Sequence, residues 1–138
     1  MSLRVLFDTN VVLDVLLARE PFRADSEALM RAAEHGEIEG VLCATTLTTV
    51  DYVVGKARGR ETSRDVVRAL LGVFAVAPVG RDELVRAADS AFADFEDGVL
   101  HEAARSAGAD LIATRNDRDF GAATLPVLRP GAALARIG

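Results

Sequence analysis

Short apolar runs alternate along this chain with longer stretches in which apolar residues recur at three- and four-residue spacing. The first run, Val5–Phe7, reads as a buried strand that stops abruptly at Asp8-Thr9-Asn10. Asn10–Arg19 then reads as a helix ended by Pro21, and Ser26–His35 as a second helix with Gly36 at its C-terminal stop. Glu39–Cys43 predicts the second strand, and Thr46–Ala57 a helix closed by Gly59. Thr62 or Ser63 is placed to cap a further helix, Arg64–Phe74, whose Val66, Val67, Leu70 and Leu71 follow helical spacing. Val76–Pro78 reads as a third strand, Arg81–Phe92 and Glu96–Ala107 as a helical pair, and Asp110–Ala113 as the fourth strand. A last strand, Pro126–Leu128, precedes a terminal turn.

Strands alternating with helices call for an α/β fold, with a central parallel sheet of four to five strands covered by helices on both faces. Right-handed crossovers place the C-terminal ends of all the strands on one edge, which is where open α/β sheets bind ligands. Asp8 falls on that edge. Taken alone, Asp8 or Asn10 is most simply a helix cap. Chemistry becomes the stronger reading because acids recur at equivalent places: the segment DFED ends at Asp97, and IATRNDRDF carries Asp117 and Asp119 after another short apolar run. Topology would bring these residues together although they lie about a hundred positions apart.

Composition narrows the setting. A chain of 138 residues, half of them hydrophobic and 27% charged, suits one soluble domain spanning 1–138. No stretch approaches a membrane span, and the start MSLRVLFDTN lacks a signal-peptide layout. The single cysteine, Cys43, lies in an apolar run and fits a reducing cytoplasm. A net charge of −5 argues against a general nucleic-acid coat protein. It does not exclude a nuclease, whose metal-binding acids would themselves make the balance negative.

Asp94–Asp97 opens a helix, and Asp94 with Asp97 three residues later resembles a capping box. Asp97 on the first turn can project toward the strand edge, kept ionised by the helix dipole. His101, at i+4 from Asp97, either orients a carboxylate or is an ordinary surface residue. Asp8, Asp97 and one of Asp117 or Asp119 would repel one another if unpaired, and a divalent cation removes that conflict. Oxygen-only ligation suits Mg²⁺ or Mn²⁺ rather than Zn²⁺. Asn10 and Thr114 add neutral oxygens. An acid ending the first strand also begins aspartyl-phosphate sites, but these use a partner lysine and Lys56, the only lysine, sits in the exposed-looking segment KARGR. Those basic residues complement a helix C-terminus or touch an RNA backbone.

The segments LFDTNVVLDVLL, TTLTTVDYVV, DFEDGVLHEAARSAGADLIATRNDRDF and PVLRP, taken in order, resemble the PIN-domain family, closest in style to VapC-like toxin nucleases. The resemblance implies a three-layer α/β/α sandwich and Mg²⁺- or Mn²⁺-dependent endoribonuclease cleavage at a cluster of acids. It makes Asp8 the first acid, Asp97 the third and Asp119 the fourth, with Asp117 near enough to assist. In the same TRNDRDF element, Arg115 would approach a substrate phosphate or form a surface salt bridge, beside Thr114 and Asn116. The resemblance also implies an RNA substrate, an antitoxin protein partner and a homodimer, for which Val11–Leu17 and Leu29–Ala33 are candidate faces. One position departs from the family pattern: Thr49 stands where the second acid is usual, and Asp51 lies two residues on. Two helical residues turn by about 200°, so Asp51 would face away from a site that Thr49 faces. That departure motivates an alternative, a catalytically weakened PIN module that binds RNA or a protein without cleavage.

Overall fold

The computed structural model describes residues 2–137. In chain order its elements are β1 (Arg4–Phe7), α1 (Thr9–Leu16), α2 (Arg23–Glu34), β2 (Glu39–Cys43), α3 (Ala44–Arg58) and α4 (Arg60–Val73). There follow β3 (Ala75–Ala77), α5 (Arg81–Ala88), α6 (Phe95–Ser106), β4 (Leu111–Ala113), β5 (Val127–Leu128) and α7 (Pro130–Ala135). A turn of 3-10 helix, Asp117–Phe120, lies between β4 and β5.

The five strands form one parallel sheet in the order β3-β2-β1-β4-β5. Its strands read as near-continuous apolar runs because both faces are covered. Alternate residues divide between two cores. Val5, Phe7, Leu42 and Leu111 pack with Val11, Leu29, Val50, Leu70 and Phe74 from α1–α4 and the residue after α4. Leu6, Val41, Cys43 and Ile112 face the other way, onto Leu100, Ala103 and Ala104 of α6. The result is the expected layered α/β architecture, with β1 at the centre of the sheet. At Gly40 an added Cβ would lie 2.7 Å from the Phe74 ring, so the absence of a side chain on β2 is what admits that ring. No helix among the described residues is long and apolar enough to cross a membrane.

Several boundaries differ from the sequence expectation, each for a local reason. The helix α4 begins at Arg60, not beyond a Thr62 or Ser63 cap, because Gly59 takes φ +92° and turns α3 into α4 within one residue. Ser63 is therefore inside the helix, where its hydroxyl lies 2.8 Å from both the carbonyl oxygen and Oδ1 of Asp51. The helix expected to reach Phe92 stops at Ala88, where the Ser90 hydroxyl donates to the Ala87 carbonyl at 2.7 Å and accepts from the Phe92 amide. The terminal turn is instead a short helix, α7, started by Pro130 in its first turn. Of the stripes considered as dimer faces, Val11, Val12, Leu13, Leu29 and Ala33 are buried in the core, whereas Val15, Leu16 and Leu17 are half-buried.

Candidate active site

Asp8 follows the last residue of β1, and its amide donates to the Ala113 carbonyl at the end of β4. It stands at the N-terminus of α1, yet its side chain makes no capping hydrogen bond. The carboxylate instead accepts a 2.7 Å hydrogen bond from the Thr114 hydroxyl and is only 6% exposed. Thr114 is held in turn by the Asn116 amide, which donates to the same hydroxyl oxygen at 3.0 Å. Burial pushes the Asp8 carboxyl above the usual carboxylate range, against the hydrogen bonds from Thr114 and the Thr9 backbone. The next residue, Thr9, bonds Thr46 through their hydroxyls at 2.8 Å and so pins the start of α1 to the start of α3.

Asp94 caps α6, accepting from the Glu96 amide at 2.9 Å. The cap half of the expected box is present, but its partner is the Glu96 amide. Asp97 is thereby free on the first turn and half-buried. Its carboxyl, expected to be kept ionised by the helix dipole, is instead pushed up from 3.8 to about 7, first by burial and then by the negative charges of Asp94, Asp8, Asp119 and Glu96. This mutual repulsion is the physical sign that acids from β1, α6 and the 3-10 turn share one patch. The patch is open: among the described residues, no three His, Cys, Asp or Glu side chains are close enough as placed to hold one ion. The two observations concern different ranges, since charges interact well beyond ligand distance. The donor set is oxygen-only and its carboxyls crowd one another, a chemistry that fits a hard divalent cation.

The remaining sequence candidates divide. Asn10 lies half-buried in the first turn of α1, next to Asp8 and Thr9. Asp119 is exposed, on the 3-10 turn whose Phe120 is buried. Asp117, two residues before it, is drawn aside by Arg129 at 3.3 Å. Thr49 is half-buried on α3, its hydroxyl spent on the Thr45 carbonyl at 3.2 Å. Asp51 points into the α3–α4 hairpin, where Ser63 donates to it and Arg64 lies 3.4 Å away. Arg115 forms neither a free phosphate clamp nor a surface salt bridge: its Nε donates to Asp14 at 2.7 Å, and its guanidinium stacks 4.3 Å from the Phe22 ring. Asp14 is fully buried and also lies 3.8 Å from Arg19. Sequence reasoning passed over Asp14, although an acid inside the apolar stretch VVLDVLL is itself the signal of a buried charge awaiting a partner. Glu96 was also passed over; its charge reaches both Asp8 and Asp97. His101 is no surface residue, being 2% exposed.

A parallel sheet whose C-terminal edge collects acids from β1, α6 and the segment after β4 defines an α/β protein with an acidic strand-edge site. The chain belongs to the PIN-domain family, whose model matches residues 4–118. No curated protein matches it significantly. Among solved structures it is similar to FitAcB from Neisseria gonorrhoeae, with TM-score 0.70 and 21% identity over 91% of this chain and 97% of that one. It is likewise similar to a toxin–antitoxin complex from Klebsiella pneumoniae, with TM-score 0.67 and 20% identity over 91% of this chain and 97% of that one. A third is VapC20 of Mycobacterium tuberculosis, described as a Sarcin-Ricin loop cleaving toxin, with TM-score 0.62 and 14% identity over 78% and 86% of the two chains. At these identities the likeness is one of fold.

Proposed function

We propose that this protein is a divalent-metal-dependent endoribonuclease, the toxin of a toxin–antitoxin pair, acting at the patch formed by Asp8, Asp97 and Asp119. The observation that carries the reading is the Asp97 carboxyl, raised to about 7 by burial and by the charges of Asp94, Asp8, Asp119 and Glu96. A carboxyl cluster under such repulsion is a site waiting for positive charge. Asp8, Asp97 and Asp119 are the acids that would hold Mg²⁺ or Mn²⁺, once drawn in from positions where, among the described residues, no three carboxyls yet reach one ion. When bound, the cation supplies the positive charge that phosphodiester hydrolysis requires. The chain's own part is positioning: Thr114 orients Asp8 from β4, the Asp94 cap frees Asp97 to face the edge, and buried Phe120 anchors the turn bearing Asp119. The lone thiol Cys43 is buried, in keeping with a cytoplasmic setting.

Likeness to a toxin–antitoxin complex supports an antitoxin protein as partner, and a homodimer belongs to the same reading. Exposed Leu71, Val73 and Val76, near the edge strand β3, supply apolar surface for such contacts. The test is incubation of structured RNAs with protein and Mn²⁺, beside EDTA and Asp8→Asn controls. Cleavage that survives Asp8→Asn would be contamination and would sink the assignment.

Thr49 favours a second reading, a PIN module that binds RNA or a protein without cutting. Its hydroxyl is already bonded to its own helix, and Asp51 is engaged by Ser63 and Arg64. In that case Thr49→Glu strengthens a weak Mn²⁺ affinity in calorimetry; unchanged affinity would count against a vacant ligand position.

A further inference from the structure

His101 stands one turn along α6 from Asp97, buried, and it touches no acid of the patch. Its ring bridges two parts of the chain instead. The Thr124 amide donates to Nε2 at 3.0 Å, and the Thr124 hydroxyl lies 3.4 Å from the same nitrogen. Because Nε2 accepts, the ring proton resides on Nδ1, where it is donated to Glu102 Oε2 at 2.9 Å. Glu102 is itself buried and fixed by Arg86 at 3.0 Å and Arg105 at 3.1 Å. The carboxylate thus sets the tautomer that leaves Nε2 free to accept.

Thr124 lies on the segment joining the 3-10 turn to β5, five residues after Asp119. Phe92 packs on both the imidazole (centroids 5.1 Å apart) and Phe120 (5.8 Å). One polar bond and one aromatic stack therefore tie the Asp119 segment to the helix that carries Asp97. The edge strand β5 is only two residues long, so the sheet alone holds this segment weakly.

We propose that His101 is a positioning residue for the acidic patch: by accepting from the Thr124 amide it holds the Asp119 segment against α6 and so sets Asp119 relative to Asp97. The inference rests on the metal-site reading above for its functional consequence, and on the hydrogen-bond geometry alone for the anchoring itself. Partners that orient metal ligands typically alter affinity by roughly 10- to 100-fold when removed.

Two variants separate anchoring from bulk packing. His101→Leu keeps apolar volume and removes the acceptor, whereas His101→Gln offers a side-chain carbonyl within reach of the Thr124 amide. Amide hydrogen exchange of residues 119–124 and Mn²⁺ calorimetry are read on both variants and on wild type. His101→Leu is expected to speed exchange at Thr124 and Asp119 and to weaken Mn²⁺ binding about 10-fold. His101→Gln is expected to restore both to within about threefold of wild type. Equal protection in wild type and His101→Leu overturns the proposal, as does equal loss in the two variants, which marks a purely structural ring. If wild type binds no Mn²⁺, the metal reading fails by itself, and the exchange comparison still decides the anchor.

Discussion

Replacing Asp97 by Asn should make the metal-free protein more stable while destroying cation binding. The Asp97 carboxyl rises from 3.8 to about 7 on folding. A group whose folded value is raised favours the protonated form. Its contribution is fully present below the unfolded value and is lost as pH climbs through about 7. The full rise corresponds to an upper limit of about 4 kcal/mol against the ionised form at neutral pH. Solvent screening of this half-exposed side chain reduces the expected cost to about 1 kcal/mol. Asp97→Asn removes that cost, so the variant's midpoint at pH 7.5 should lie about 3 °C above wild type. The difference should shrink toward zero near pH 4. Thermal unfolding followed by circular dichroism in EDTA, at half-unit pH steps, measures it. Added Mn²⁺ should then raise the midpoint of wild type and leave the variant unmoved. A variant less stable than wild type at pH 7.5, or a difference independent of pH, would refute the claim that Asp97 is held in a crowded carboxyl patch.

Thr114→Val removes the hydroxyl that donates to buried Asp8 and should cost about 1–3 kcal/mol in urea denaturation at neutral pH. Arg115→Ala strips the nearer cation from fully buried Asp14 and leaves only Arg19 at 3.8 Å, so it should destabilise by about 3 kcal/mol. If Arg115 served RNA alone, the same variant would keep wild-type stability and lose only RNA affinity in a binding assay.

The centre of the sheet was legible because β1 and β4 are buried on both faces, which leaves an uninterrupted apolar run at Val5–Phe7 and at Leu111–Ala113. The order of elements then put Asp8 and the TRNDRDF segment on one edge by topology alone. What escaped was set by contacts between distant residues. Nothing near Asp8 in sequence announces that Thr114, 106 positions away, takes over its carboxylate. Helical spacing placed His101 beside Asp97, but its real partner is the amide of Thr124, 23 residues on. Arg115 and Asp14 are 101 residues apart, and only the fold shows that a buried acid consumes the arginine. Helix starts were misread for a different reason. Gly59 at φ +92° permits a reversal with no linker, whereas the polar pair Thr62-Ser63 imitated a cap.

The shared acidic patch is tested most directly by calorimetric titration of Mn²⁺ into wild type and Asp97→Asn at pH 7 in two buffers of different ionisation enthalpy. With the Asp97 carboxyl at about 7, binding should expel roughly half a proton per ion from wild type. Asp97→Asn should show neither the binding nor the proton. Binding that persists in Asp97→Asn, or that releases no proton from wild type, would contradict a cation site built on Asp97 and its acidic neighbours.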